Sequence, residues 1–212
     1  MSPEAALRAE IVALCRSLFE RGLAHGTAGN VSARCGAHLL MSPTRSSLGR
    51  LVAEELSLVT LDGRHICGAQ PTKEAALHLG IYQERPEAGA VVHLHSTFAT
   101  ALSCLADTDP SDAMPPITPY LVMRVGRVPM VPYFPPGSDA LADAVRAKAR
   151  EHRAVLMANH GFAVAGRSFE DAVANAEELE ENAKLLMLTR GQQVSLLSAA
   201  EVSALLAAFG QG

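Results

Sequence analysis

The sequence predicts a single layered α/β domain whose sheet is not all-parallel. Helical and strand-like apolar periodicities interleave along the 212 residues, the pattern of helices packed against a sheet. Hairpin-like connections, with Asp62-Gly63 as the strongest signal, imply antiparallel neighbours, because parallel strands need long crossovers. The length suits one large domain spanning 1–212, with a substantial core.

Residues 4–23 repeat Leu7, Ile11, Leu14 and Leu18 near helical spacing and stop at Gly22, which predicts an amphipathic helix. GTAGNVSAR, residues 26–34, and LLMSPTRSSLGRL, residues 39–51, predict two strands flanked by polar loops. LSLVTLDGRHICG alternates around the Asp62-Gly63 turn and reads as a hairpin. PTKEAALHLGIYQERP begins a helix at Pro71 and Thr72 and ends it before Pro86. In AGAVVHLHSTFATALSCL a buried strand over 90–95 passes into a helix, since β-branched residues give way to Ala and Leu. Prolines within 115–119 and 132–136 frame MRVGRVPMV, which reads as one or two strands. Residues 138–152 form a helix with Ser138 or Asp139 near its cap, followed by the strand AVLMANH. A last long helix runs from about Ser168 to Thr189, with Gly191 behind it.

Composition excludes several classes of partner. With 18 Lys plus Arg against 22 Asp plus Glu the formal charge is −4, so no global basic field gathers nucleic acid or anionic lipid. The apolar runs fall well short of the roughly 18 residues of a membrane span. The N-terminal MSPEAALRAEIVALCRSLFERGL lacks the basic start and unbroken apolar centre of a secretory signal, which places the chain in the cytoplasm. Cys15, Cys35, Cys67 and Cys104 are spread singly, without a CxxC pair, and read as reduced, buried structural thiols.

The chemistry concentrates in three stretches. In VVHLHS, His93 and His95 are two residues apart; on a strand both imidazoles share one face, about 6.8 Å apart at the backbone. Such a pair either converges on a cation or is simply hydrogen-bonded within the sheet. A transition-metal centre needs further ligands, and His160, in ANHGF at the end of an apolar strand, is placed to supply one. His25, His38, His65, His78 and His152 have no matching partner and read as ordinary polar residues. Glu74 sits in PTKE at a helix start, where the macrodipole favours its ionised form. With Thr72, Lys73 and exposed backbone N–H groups, that turn is a good phosphate cradle. Asn30, Thr44, Ser46 and Ser47 offer more donors on Gly/Ser-rich loops, although each alone is an ordinary turn residue.

Taken in order, AGNVSAR, SPTRSSLG, PTKEAALH, VVHLHS and ANHG resemble the class II aldolase/adducin family over nearly the whole chain. The resemblance implies a three-layer αβα domain with a mixed, largely antiparallel central sheet. It implies zinc or a similar divalent metal on His93, His95 and His160, with Glu74 beside it as acid/base. It implies a homotetramer with interfacial active sites. Asn30, Thr44, Ser46, Thr72 and Lys73 match the family's phosphate-binding loops, and Tyr120, in PPITPY, resembles the tyrosine that the family sends into a neighbour's site as proton donor. Arg45 departs from the pattern, since many relatives have Gly after the matching Thr; it adds a charge to the phosphate site or addresses a different anion such as a carboxylate.

Within the family, the segments from MSPTRSSLGRL to PPITPYLVMRVGRVP look most like the 3-oxo-tetronate 4-phosphate decarboxylases. That resemblance implies loss of CO2 from a four-carbon 3-oxo acid phosphate, through a metal-stabilised enediolate, to give dihydroxyacetone phosphate. The alternatives are a fuculose- or ribulose-phosphate type aldolase or an epimerase with the same metal site, and a non-catalytic, adducin-like assembly domain. The complete set of His93, His95, His160 and Glu74 argues against the last.

Overall fold

Eight strands form one sheet in the order β4-β3-β2-β1-β5-β8-β7-β6. They are β1 (Asn30–Cys35), β2 (His38–Met41), β3 (Ser57–Thr60), β4 (His65–Cys67), β5 (Ala90–Leu94), β6 (Met130–Val131), β7 (Ala154–Met157) and β8 (Gly161–Gly166). Every neighbouring pair is antiparallel except β6 with β7. The computed structural model describes residues 2–209. The helices are α1 (Pro3–Glu20), α2 (Ala75–Glu84), α3 (Thr97–Ser103), α4 (Pro119–Arg124), α5 (Asp139–Ala149), α6 (Phe169–Leu188) and α7 (Ala199–Phe209).

The two-residue period of a strand sorts side chains into two cores. Ala90, Val92 and Leu94 of β5, with Phe162 and Val164 of β8, pack against Ile11, Cys15 and Leu18 of α1, Ala99 of α3 and Leu179 of α6. The alternate residues Val91, Ala163 and Ala165 pack instead with Leu77 and Ile81 of α2 and Leu141 and Val145 of α5. Helices therefore cover both faces, as a three-layer αβα domain requires. Leu94 and Phe162, which pair across the β5–β8 ladder and are fully buried, each contribute about 1.5–3 kcal/mol of burial free energy. The same alternation fixes the site: Asn30, Ser32 and His93 fall on the α2 face of the sheet, with Asn30 directly opposite His93.

Three elements differ from the sequence expectation. MRVGRVPMV is mostly not strand: Met123 and Arg124 end the helix α4, which has Thr118 at its N-cap, Pro119 in its first turn and Leu121 and Val122 buried, residues 125–129 are irregular, and only Met130–Val131 pair in the sheet. GFAVAG, to which the sequence reading assigns no element, is the interior strand β8, buried at all six residues. Its continuous apolar run between two glycines lacks the alternation of a half-exposed strand. Helix α7 also went unforeseen, although Ser198 and Glu201 form its capping box: Glu201 Oε2 accepts from Ser198 N at 2.7 Å and Ser198 Oγ accepts from Glu201 N at 3.3 Å. The helix expected from Pro71 begins at Ala75, with Glu74 at its N-cap. All four cysteines are free, but only Cys15 is buried; Cys67 and Cys104 are exposed.

Candidate active site

The site is assembled by backbone contacts between loops distant in sequence. The SPTRSS loop and the PTKE turn are zipped together by Thr44 N donating to Gln70 O at 2.9 Å and Thr72 N donating to Ser42 O at 3.2 Å, with a bridge between Pro43 and Pro71. The AGN loop is drawn against β5 because Gly29 has φ 81° and no side chain; a Cβ there would meet His93 O at 2.9 Å. Asn159 adopts a left-handed φ of 56° and starts the turn that carries His160. Gly161 lets this turn approach β5, since a Cβ would lie 2.3 Å from Leu94 O.

Glu74, His93, His95 and His160 converge, each offering one ligand atom, all within 4.8 Å of one another. His93 Nε2 lies 3.4 Å from Glu74 Oε2 and 2.9 Å from His95 Nε2, and His160 Nε2 lies 3.6 Å from Glu74 Oε1. Four donors placed tetrahedrally at 2.0–2.1 Å from a zinc-like ion stand about 3.3–3.4 Å apart, so these spacings suit a divalent cation. His93 Nδ1 donates to Phe162 O at 2.8 Å, which orients the ring so that Nε2 faces the cluster. Among the described residues, three buried polar atoms there, Glu74 Oε1 and both ring nitrogens of His160, have no hydrogen-bond partner. Orphaned buried acceptors are costly, and a bound cation would satisfy Glu74 Oε1 and the one His160 nitrogen that carries a lone pair.

The electrostatics point the same way. Burial, reinforced by the charge of neighbouring imidazoles, pushes His95 down to about 3 and His160 down to about 4, so both are neutral near pH 7. Burial alone would raise the Glu74 carboxyl, but the hydrogen bond and charge of His93, the Asn30 amide and the charge of His160 outweigh it. They hold Glu74 well below the usual carboxylate range, ionised.

A cavity of about 570 Å³ opens over this cluster and is lined by Asn30, Thr44, Arg45, Ser46, Thr72, Lys73, Glu74, His95 and His160. Asn30, Thr44, Arg45, Ser46, Thr72 and Lys73 thus share one cavity with the His/Glu cluster, and His93 lies beneath, fully buried; Ser47, read as a further loop donor, is buried and does not line it. Their side chains are not equally free. Ser46 Oγ donates to Pro43 O at 2.7 Å, Thr72 Oγ1 accepts from Glu74 N at 3.2 Å, and the Asn30 amide donates to Glu74 Oε2 at 2.7 Å. Arg45 is exposed with φ 59°, which explains why glycine suits this position. Tyr120 does not line the cavity; it is 61% exposed on α4.

Residues 9–187 match the family model described as class II aldolase and adducin N-terminal domain. The chain belongs to the class II aldolase and adducin family. Its likeness extends to a Pectobacterium atrosepticum protein named 3-oxo-tetronate 4-phosphate decarboxylase, 48% identical over 206 residues that cover 97% of this chain and 94% of the relative. A Methanococcus maripaludis L-fuculose phosphate aldolase is 37% identical over 83% of this chain and 93% of its own. The crystal structure of YgbL from Klebsiella pneumoniae superposes with a TM-score of 0.94 at 46% identity, covering 97% of this chain and all of that one (100%). The mixed, mostly antiparallel sheet of this class II aldolase domain is therefore the family fold.

Reading the sequence missed the supports of the site. Glu180 of α6 accepts from Ser96 Oγ at 2.5 Å and from Phe98 N and Ala99 N at 2.9 Å, which caps α3 directly after His95. His78, expected to be an ordinary polar residue, is fully buried. Its four-residue offset from Glu74 puts it one turn further along α2 on the same face, a signal present in PTKEAALH.

Proposed function

We propose that this protein is a divalent-metal carbon–carbon lyase that converts 3-oxo-tetronate 4-phosphate to dihydroxyacetone phosphate and CO2. The observation that carries the reading is the single cavity in which a three-histidine, one-carboxylate cluster faces a hydroxyl- and cation-lined anion site. The relative that shares 48% identity over nearly the full chain bears that decarboxylase name. Residues 1–212 act as one catalytic domain, in the cytoplasm, as a homotetramer.

His93, His95 and His160 would hold the metal, most simply zinc given its nitrogen-rich donor set. When bound, the ion supplies Lewis acidity toward the substrate's C2 and C3 oxygens. The chain's own residues do the rest. Backbone and hydroxyl donors from the zipped loops, with Thr44, Ser46, Thr72 and Lys73, bind the C4 phosphate; Asn30 acts by holding Glu74. Arg45 at the rim is a counter-ion for the C1 carboxylate, a role a ketose phosphate would not need. Breaking C1–C2 releases CO2 and leaves the electron pair on C2, which takes up one proton to complete the product. Glu74 Oε1, the oxygen without a partner, handles that proton on one side. Tyr120, exposed and outside its own cavity, is proposed to serve the site of a neighbouring copy.

The second reading, a sugar-phosphate aldolase or epimerase on the same site, is supported by the 37% identity to an L-fuculose phosphate aldolase. Incubating the zinc-loaded protein with 3-oxo-tetronate 4-phosphate and a panel of ketose 1-phosphates, while following CO2 and aldehyde separately, divides the two. CO2 with dihydroxyacetone phosphate is expected. Aldehyde from a ketose phosphate, with no CO2 from the acid, would establish the aldolase instead.

A further inference from the structure

Beneath the cavity, on the α2 face of the sheet, a line of buried polar groups runs away from Glu74. Asn30 Nδ2 donates to Glu74 Oε2 at 2.7 Å. On its other side Asn30 Oδ1 lies 2.6 Å from His78 Nε2, His78 Nδ1 lies 2.7 Å from Ser32 Oγ, and Ser32 Oγ lies 3.0 Å from Tyr82 Oη. Asn30, Ser32, His78 and Tyr82 are all buried.

The direction of every bond in this line follows from its first member. A carboxylate accepts only, so the Asn30 amide must turn its NH2 toward Glu74 and its carbonyl toward His78. A carbonyl accepts only, so His78 must carry its proton on Nε2. Full burial keeps His78 neutral, pushed down to about 3, so Nδ1 is a lone pair and Ser32 Oγ must donate to it. The single Ser32 proton is then used, and Tyr82 Oη donates to Ser32. All donors point one way, toward Glu74 Oε2, and aligned hydrogen bonds in a low-dielectric interior polarise one another.

We infer that His78 is a positioning residue: with Ser32 and Tyr82 it locks the Asn30 amide, whose NH2 group in turn holds Glu74 Oε2 and so fixes the orientation of the carboxylate in the site. The inference rests on the acid/base role of Glu74 in the lyase reading. It gives a physical reason for a histidine in α2 that neither lines the cavity nor belongs to the His/Glu cluster.

Three variants test it. His78→Phe keeps a ring of similar shape but removes the donor to Asn30; His78→Gln keeps a donor at the Nε2 position; Ser32→Ala removes the hydroxyl that donates to Nδ1 and leaves the Asn30 carbonyl alone to hold the Nε2–H tautomer. On the lyase substrate that the wild type turns over, His78→Phe is expected to lower kcat about tenfold or more with KM changed less than about threefold, and His78→Gln to restore most of the loss. In metal-free wild-type protein, ¹⁵N NMR of the histidines is expected to show His78 as the pure Nε2–H tautomer, and Ser32→Ala to keep it, because the Asn30 carbonyl accepts only. Equal losses in His78→Phe and His78→Gln, a kcat for folded His78→Phe within about twofold of wild type, or an Nδ1–H tautomer would each overturn the inference. Should His78→Phe not fold, the tautomer of wild-type His78 still decides the inference. A wild type inactive on every lyase substrate would refute the proposed function, while the NMR result would still decide the relay.

Discussion

The two sides of the Glu74 carboxylate are built differently. On the Oε2 side, toward α2 and β1, the polar groups of Asn30, Ser32, His78 and Tyr82 are linked in a continuous line. On the Oε1 side, toward the β7–β8 turn and the cavity, Glu74 Oε1 and both His160 nitrogens have no partner among the described residues, although these atoms too are buried. The first is finished by folding alone. The second carries orphaned atoms that cost about 1–3 kcal/mol each when left unsatisfied, a cost that binding a cation and substrate would relieve. A fold keeps such an arrangement where a ligand completes it.

Breaking the open side should have the largest effect. His93→Ala removes an imidazole that faces the cluster from beneath, and it should abolish metal retention and turnover together, with activity down at least about 10³-fold. Metal content measured by mass spectrometry beside kcat checks this, and a metal-free variant with full activity would remove the proposal. Glu74→Gln separates the two sides. It should retain the metal on the three histidines but lose about 10²–10⁴-fold in kcat. Unchanged kinetics would deny Glu74 its proton-transfer role.

Acidification sharpens the comparison from the finished side. His78 is held at about 3 in the folded chain against an ordinary 6.5, so the unfolded chain binds its proton first. The stability that depends on neutral His78 is complete above pH 6.5 and is lost as pH falls from 6.5 toward 3. For the metal-free protein, each such histidine contributes a slope of up to about 1.4 kcal/mol per pH unit. His95 and His160, held at about 3 and about 4, add slopes of the same sign. Urea unfolding across this range should show a shallower dependence in His78→Phe than in the wild type.

The smallest effect lies at the rim. Arg45 holds a left-handed φ of 59°, which costs an L-residue about 1–2 kcal/mol, while glycine gives back about 0.5–1 kcal/mol in chain entropy. Arg45→Gly should therefore stabilise the fold by about 0.5–1 kcal/mol while raising KM for the sugar acid phosphate. A KM that does not move would show that the guanidinium takes no part in binding.

How much was legible in the sequence divides along the same line. The α1, α2, α5 and α6 patterns, the Asp62-Gly63 hairpin and the VVHLHS strand carry local signals of period and capping, and the structure has each of these elements. The order of the five motif segments placed Glu74, His93, His95, His160 and the loop donors together before any coordinates did. What stayed hidden is non-local. Strand β8 is an unbroken apolar run whose role appears only when β5 and β7 flank it. His78, Ser32 and Glu180 look like ordinary helix and strand residues until Asn30 and the α3 N-terminus are brought to them by pairings 48 and 82 residues long in sequence. The short α4 has its helical signal masked by prolines on both sides.

The most direct test of the account is a zinc titration of the chelator-treated protein, followed by native mass spectrometry and thermal unfolding, for the wild type and His160→Ala. The account predicts one ion per chain and a rise in Tm for the wild type, with both effects lost or greatly weakened in His160→Ala. A wild type that takes up no ion, or a variant that binds as tightly as the wild type, would contradict it.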